Sequence, residues 1–491
     1  MTGTSIVVAL VTTPLLVHEL GKVEYGIWVV VGSLAWYVPL LEFGFGGATV
    51  KYVAEHHARG DSEAVRRTVA TSFWLLAVAA VGAAAAGLAL ALAFPIIFDV
   101  PPDVERAAQL LVLLVTLDVA SSMPMDTFGN ALVAFQRYDL LNATLIAVLV
   151  LQALGWLIVL ELGGGLVALG AVTVGLSLLG QLSRAVLARR LSPDVVVQPR
   201  LVDRRAVRPL ARLSFWLWLT TASKLVVRRV DVIMVGLVVG IPEAAVYAVG
   251  QKLAFLADQS MGPLARVFFP YSSEQAARRE LPELRGTLVV GTRMALVVAG
   301  PLCLALALFA GPAISAWIGP GFGDAALVVV FLAATTALKA LTQIGLQLLP
   351  GAGRARVPAL ISAGEAGLNL TLSVVLGLTM GLEGVALATL IAAAVTHLGL
   401  MLPYMARQFG LRVAALLASQ LRAHLPPAAA ALAVGVLLLR ADPGSILAVS
   451  AAGAAVVASY LLVFAFTGLV AGERRRLLAP VRSRFGSVGG R

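Results

Sequence analysis

Apolar runs of about twenty residues recur from one end of this chain to the other, and that is the length an α-helix needs to cross the roughly 30 Å hydrocarbon core of a bilayer. Alternating segments of about ten residues, the mark of a membrane barrel, do not recur. Backbone groups in lipid must be satisfied inside their own element, so the runs predict helices. Fourteen spans fit, at roughly 3–18, 26–50, 69–97, 107–135, 140–160, 166–188, 213–237, 244–270, 287–310, 324–349, 357–379, 382–404, 423–440 and 446–470. With 59% hydrophobic and only 13% charged residues among 491, and a mean hydropathy of +0.93, the chain reads as an all-α integral membrane protein. No basic n-region with a small-residue cleavage site opens the sequence, so the first spans are expected to direct insertion.

The net charge of +11 suggests nucleic acid until the charges are placed. They fall in alternate loops. Those assigned inside hold 25 cations, among them Arg66, Arg67, Arg137, Arg285, Arg354, Arg407 and six in the tail, against Lys22, Arg106 and Arg440 outside. Such asymmetry is the positive-inside rule, with both termini expected in the cytoplasm and no nucleic acid as partner. The single Cys303 lies in an apolar span, which excludes an internal disulfide and a cysteine-cluster metal site.

An internal repeat gives the architecture. A shift of 219 residues aligns Gly21 with Gly240, Glu24 with Glu243, and YVAEHHARGD from Tyr52 with YSSEQAARRE from Tyr271. Arg66 and Thr68 then fall on Arg285 and Thr287; further on, a shift of 218 matches GLVAL from Gly165 with EGVAL from Glu383 and Ala188-Arg189 with Ala406-Arg407. The expected organisation is a six-helix lobe at 1–190, a cytoplasmic linker at 191–212, a second six-helix lobe at 213–408, two added helices at 409–472 and a basic tail at 473–491. Six is even, so the halves are parallel repeats whose pseudo-twofold axis runs along the membrane normal. By the same shift the first span looks about seven residues short of the seventh, which predicts either a start further upstream or a stubby first helix.

Charges inside spans point to a site. The stretch SKLVVRRVDVIMVG from Ser223 holds Lys224, Arg228, Arg229 and Asp231, which facing lipid would cost about 10 kcal/mol. Lys224, Arg228 and Asp231 share one helical stripe, so this face is expected to line a wet, cationic cavity. Other stripes are Asp118, Ser122 and Asp126; Lys339, Gln343 and Gln347; and Glu365, Asn369 and Ser373, with Glu42, Lys252 and Asp258 in further spans. Three of only five lysines, Lys224, Lys252 and Lys339, lie within spans, and this cation loses its proton readily on burial. An anionic ligand, phosphate above all, suits such a cavity. Glu42, Asp118, Asp126, Asp231, Asp258 and Glu365 either hold a proton or Na⁺ or neutralise the cations, and a purely structural bridge between helices stays open for each stripe. Arg184 and Arg293 read as snorkelling to the interface, and His397 as a packing residue.

The strings LGKVEYGIW from Leu20, LLEFGFGGATVKYVAE from Leu40, ARGD from Ala58, and RRVDVIMVGLVVG followed by AVYAVGQKL resemble the polysaccharide transporter (Wzx-type flippase) family of the multidrug/oligosaccharidyl-lipid/polysaccharide exporter superfamily. The resemblance implies two six-helix lobes around a central cavity and translocation of a polyprenyl-pyrophosphate-linked oligosaccharide from the inner to the outer leaflet of the cytoplasmic membrane, with membrane lipids and the polysaccharide polymerase machinery as further partners. In that picture Lys224, Arg228, Arg229, Lys252 and Lys339 attract pyrophosphate, while Trp36, Tyr37, Gln343 and Gln347 meet sugars. No cofactor is expected, and a proton or Na⁺ gradient is the candidate driving force. A lipid II flippase is the nearest alternative, then a drug/cation antiporter of the same superfamily. An enzyme is disfavoured, because no Walker A motif, metal-ligand spacing or nucleophile elbow occurs and the outside loops are short.

Overall fold

The computed structural model describes residues 2–35, 37, 45–203, 230–261, 281–351, 354 and 356–468. No β-strand occurs among the described residues. The helices are α1 (Thr2–Ala35), α2 (Phe45–Ala58), α3 (Ser62–Ile97), α4 (Glu105–Ala134), α5 (Tyr138–Glu161), α6 (Leu166–Leu191), α7 (Ile241–Ser260), α8 (Leu281–Leu308), α9 (Ala310–Trp317), α10 (Ala325–Gly351), α11 (Arg356–Ala393), α12 (Leu402–Gln408), α13 (Val413–Leu439) and α14 (Ile446–Thr467), with a further helical stretch at 230–238. Ten segments among the described residues are long and apolar enough to cross a membrane. One of these ten, 356–408, holds a pair of expected spans, another, 4–35, holds the first expected span and the start of the second, and the expected second, seventh and eighth spans lie partly outside the described residues.

Glycine explains the paired spans. Gly21, at φ 68° and ψ −179°, interrupts α1, and Gly381, at φ 66° and ψ −146°, interrupts α11. A side chain would be strained in this backbone region, so a glycine turns the chain between two helices where a longer loop would otherwise be needed. The repeat returns here in the backbone: Gly240, matched to Gly21, has φ 146°, and Gly163, which lies 218 residues before Gly381, has φ 71°. Corresponding helix ends in the two halves therefore use the same conformational device.

The chain divides into two compact units, Met1–Ala248 with Ser373–Val385, and Val249–Leu372 with Ala386–Arg491. In the first unit α3 packs along α4, and α4 along α6. Small residues allow the approach, which in lipid depends on close van der Waals packing: a Cβ on Gly87 would stand 2.2 Å from Oγ1 of Thr116. At one end of this unit Val53, Val65, Val69, Phe128, Leu132 and Val195 form a common core. Asp61 caps α3 through the amide of Ala64 at 3.0 Å. The described part of the linker docks on the same end, where Arg66 pairs with Asp194 at 2.8 Å and Trp74 Nε1 donates to the Val197 carbonyl at 2.8 Å.

The second unit is built on α8 and α10, whose Leu288, Ala295, Ala299, Ala333, Ala340 and Ile344 interleave. Helices α13 and α14 pack on each other and on α8, burying Phe309, Ala431, Val456, Tyr460 and Phe464. Gln420 of α13 donates to the Val289 carbonyl at 3.2 Å. Arg285 bonds the carbonyls of Phe409 and Gly410 at 3.0 and 2.7 Å, satisfying groups that α12 leaves open at its C-terminus. Between α11 and α12 the helix runs on through a π-helical segment, Ala394–Met401.

Candidate functional site

Each unit holds a polar cluster between its helices. In the first, Gln181 of α6 donates to Asp118 of α4 at 3.2 Å and to Ser177 Oγ at 3.3 Å. Arg184, one turn along α6, faces Asp126, two turns along α4 from Asp118, at 3.6 Å. Arg184 is buried and so does not reach out to the interface; the carboxylate that holds it lies on a different helix, which sequence spacing could not reveal. Its Nε and the Gln181 Oε1 are buried without hydrogen-bond partners among the described residues. Elsewhere in this unit the Tyr247 hydroxyl donates to Asp231 at 2.9 Å, both side chains buried.

The second unit holds the denser cluster. Lys339 of α10 places its ammonium 2.8 Å from Oε1 of Glu365 on α11. The other oxygen, Oε2, lies 3.2 Å from Nε2 of His397, and Nδ1 of that ring lies 2.5 Å from Oγ1 of Thr342, one turn along α10 from Lys339. The Glu365 and His397 side chains are each 7% exposed and that of Lys339 26%, so the lysine forms the accessible edge of a buried pair. One turn on, Asn369 donates to Thr389 at 2.8 Å while its Oδ1 is buried without a partner among the described residues. Removing one member of such a set strands a charge in low dielectric, at a cost of about 3–5 kcal/mol.

His397 is the residue that the sequence reading missed. It lies in the π-helical segment, where the Leu402 amide bonds the His397 carbonyl five residues back. The wider turn shifts the angular register of every side chain around it, so a 3.6-residue wheel misplaces this one. Thr342 offered a weak signal, three residues from Lys339 on the same face.

Of the other candidates, Gln343 lies half-buried next to Thr342, Lys252 and Asp258 are half-buried on α7, and Tyr37 is half-buried after the turn that closes α1. Lys224, Arg228, Arg229, Trp36 and Glu42 lie outside the described residues. No group of three or more His, Cys, Asp or Glu side chains suited to a metal ion occurs among the described residues.

The apolar helices define a multi-pass membrane protein, and its fold is shared with solved transporters of the MOP superfamily. The chain is similar to the lipid II flippase MurJ in an inward closed conformation, with a TM-score of 0.72 at 13% identity over 94% of this chain and 97% of that one. It is also similar to an inward-facing multidrug resistance MATE family transporter, with a TM-score of 0.67 at 15% identity over 84% and 98% of the two chains. A MOP superfamily transporter from Pyrococcus furiosus, described as having a binding pocket of reverse polarity, gives a TM-score of 0.54 at 15% identity over 84% and 96%. The profile of the family described as "Polysaccharide biosynthesis protein" matches residues 1–275, more than half of the sequence, and the chain belongs to that family. No curated protein matches it in sequence.

Proposed function

We propose that the protein is a flippase that moves a polyprenyl-pyrophosphate-linked oligosaccharide from the inner to the outer leaflet of the cytoplasmic membrane for cell-surface polysaccharide synthesis. The observation that carries this reading is the Lys339–Glu365–His397 cluster, a cation held at the accessible edge of a buried carboxylate, in a chain of the polysaccharide biosynthesis family. A glycan headgroup cannot shed its water across about 30 Å of hydrocarbon, so the lobes must shield it while the polyprenyl tail stays in lipid. Lys224, Arg228, Arg229, Lys252 and Lys339 attract the pyrophosphate; Trp36, Tyr37, Gln343 and Gln347 meet the sugars. Both termini lie in the cytoplasm, and the polymerase that extends the glycan works on the opposite face.

A lipid II flippase is the second reading. It is favoured by one observation, that the likeness to MurJ covers 94% of this chain where the MATE likeness covers 84%.

The test is leaflet location in cells. Deleting the gene should make lipid-linked oligosaccharide accumulate where an impermeant glycosidase added outside cannot reach it. The wild-type gene should restore access and Arg228→Ala should not, although that variant inserts and expresses normally. If the peptidoglycan precursor is retained inside and the oligosaccharide is not, the lipid II reading replaces the first.

A further inference from the structure

The lipid-facing stripes of α3 and α6 both end at the docked linker. On α3 the exposed side chains Trp74, Val78 and Val81 are spaced i, i+4, i+7; on α6 Leu179, Leu182 and Val186 form a similar exposed row. Rows of exposed apolar side chains on spanning helices face hydrocarbon. Each row changes character at the same end of the unit, the end that the positive-inside bias assigns to the cytoplasm. On α3 the row stops at Trp74, whose ring suits the boundary between hydrocarbon and headgroups. On α6 the next position, three residues past Val186, is Arg189. The linker crosses at this level, because Trp74 Nε1 donates to the Val197 carbonyl at 2.8 Å. Its described part is therefore held at headgroup depth.

A groove of about 560 Å³ lies there, lined by Arg189, Pro193 and residues 195–199. The arginines around it differ from the others at this end. Arg59, Arg66, Arg67 and Arg137 each pair with a carboxylate, of Glu55, Asp194, Glu63 and Asp139 respectively. Arg189, its neighbour Arg190, and Arg200, which follows the groove residue Pro199, are exposed and have no carboxylate partner among the described residues. Arg189 lies over the Phe128 ring, 5.2 Å from its centre. That contact uses the face of the guanidinium and leaves its in-plane N–H donors for an anion.

We infer that this groove holds the headgroup of an anionic phospholipid, whose charge is matched by Arg189, Arg190 and Arg200 while its acyl chains lie along the exposed rows of α3 and α6. Exposed arginines just outside a spanning helix attract anionic lipid. The valine and proline wall offers a soluble anion nothing, but it suits the apolar end of a headgroup that arrives with its chains. Cations from α6 and from the linker then share one ligand, so the lipid reinforces the docking that Arg66 and Asp194 begin. The site belongs to the first unit and its occupant is a resident lipid, so the inference does not rest on the flippase reading.

The test is quenching of Trp74 in the purified full-length chain, in non-ionic detergent micelles, by brominated phosphatidylglycerol and by brominated phosphatidylcholine. The Trp74 signal is the wild-type emission minus that of Trp74→Phe, and the remaining tryptophans report general contact with lipid. Phosphatidylglycerol should quench Trp74 at a concentration at least about tenfold lower than phosphatidylcholine does. Each of Arg189→Gln, Arg190→Gln and Arg200→Gln should reduce that preference by up to about fivefold, and Arg59→Gln should leave it in place. In the wild type, salt at about 1 M, where the Debye length is about 3 Å, should remove most of it, a readout that needs no variant to fold. Equal quenching by the two lipids, or a preference unchanged both by salt and in the three variants, overturns the inference. Quenching by phosphatidylglycerol that excess glycerol phosphate abolishes overturns it too, since the site would then take a soluble anion. None of these outcomes bears on the flippase reading, which concerns the cargo.

Discussion

The ammonium of Lys339 and the carboxylate of Glu365 are 2.8 Å apart across two helices of the second unit, and the carboxylate side is almost fully enclosed. An enclosed ion pair adds little net stability, because the desolvation of two charges offsets their attraction, but each partner becomes indispensable to the other.

Glu365→Ala is therefore expected to lower stability by about 3–5 kcal/mol, while the apolar double replacement Lys339→Met with Glu365→Leu recovers most of that loss. Unfolding of the detergent-solubilised variants measures both. A double variant as unstable as the single one would mean that the loss arises from packing and not from a stranded charge.

The glycine bends give a second prediction. Gly381→Ala forces a side chain into positive φ and should cost about 1–2 kcal/mol. Gly367, inside α11 with open space where its Cβ would stand, should gain up to about 1 kcal/mol on the same change. Thermal midpoints of the two variants should move in opposite directions. Gly163→Ala should behave as Gly381→Ala does, since the repeat pairs the two positions.

Docking of the linker should depend on pH. Hydrogen bonds from Ser62 and then Arg66 hold the Asp194 carboxyl below the usual carboxylate range. A lowered native pKa means that the contribution to docking is complete above the ordinary range and is lost as pH falls through the lowered value. The Arg66 side of the pair is exposed to solvent, so less than about 1 kcal/mol is at stake. Trp74 reports it, through its bond to Val197: its emission should shift to the red in acid, and in Asp194→Asn the shift should already be present at neutral pH.

Much of the architecture could be read from residues alone. The spacing of apolar runs locates helices that the structure contains, and the shifts of 219 and 218 residues pair glycines that prove to share positive φ. The stripe Glu365, Asn369, Ser373 was legible because a single helix of ordinary pitch carries it. Partners across helices were not. Asp126 and Arg184 are 58 residues apart, and no local pattern announces that α4 and α6 bring them together. His397 was hidden for a different reason: the π-helical segment changes the register on which the helical wheel depends.

The central claim, movement of a lipid-linked glycan between leaflets, is tested most directly with the purified protein alone. Vesicles carrying polyprenyl-pyrophosphate-linked oligosaccharide in both leaflets are treated from outside with an impermeant glycosidase, with and without the reconstituted chain. Cleavage should stop at the outer-leaflet share in protein-free vesicles, run towards completion with the wild type, and stop early again with Arg228→Ala. Cleavage that halts at the same share with and without the wild-type protein, in vesicles shown to contain folded chain, would contradict the account.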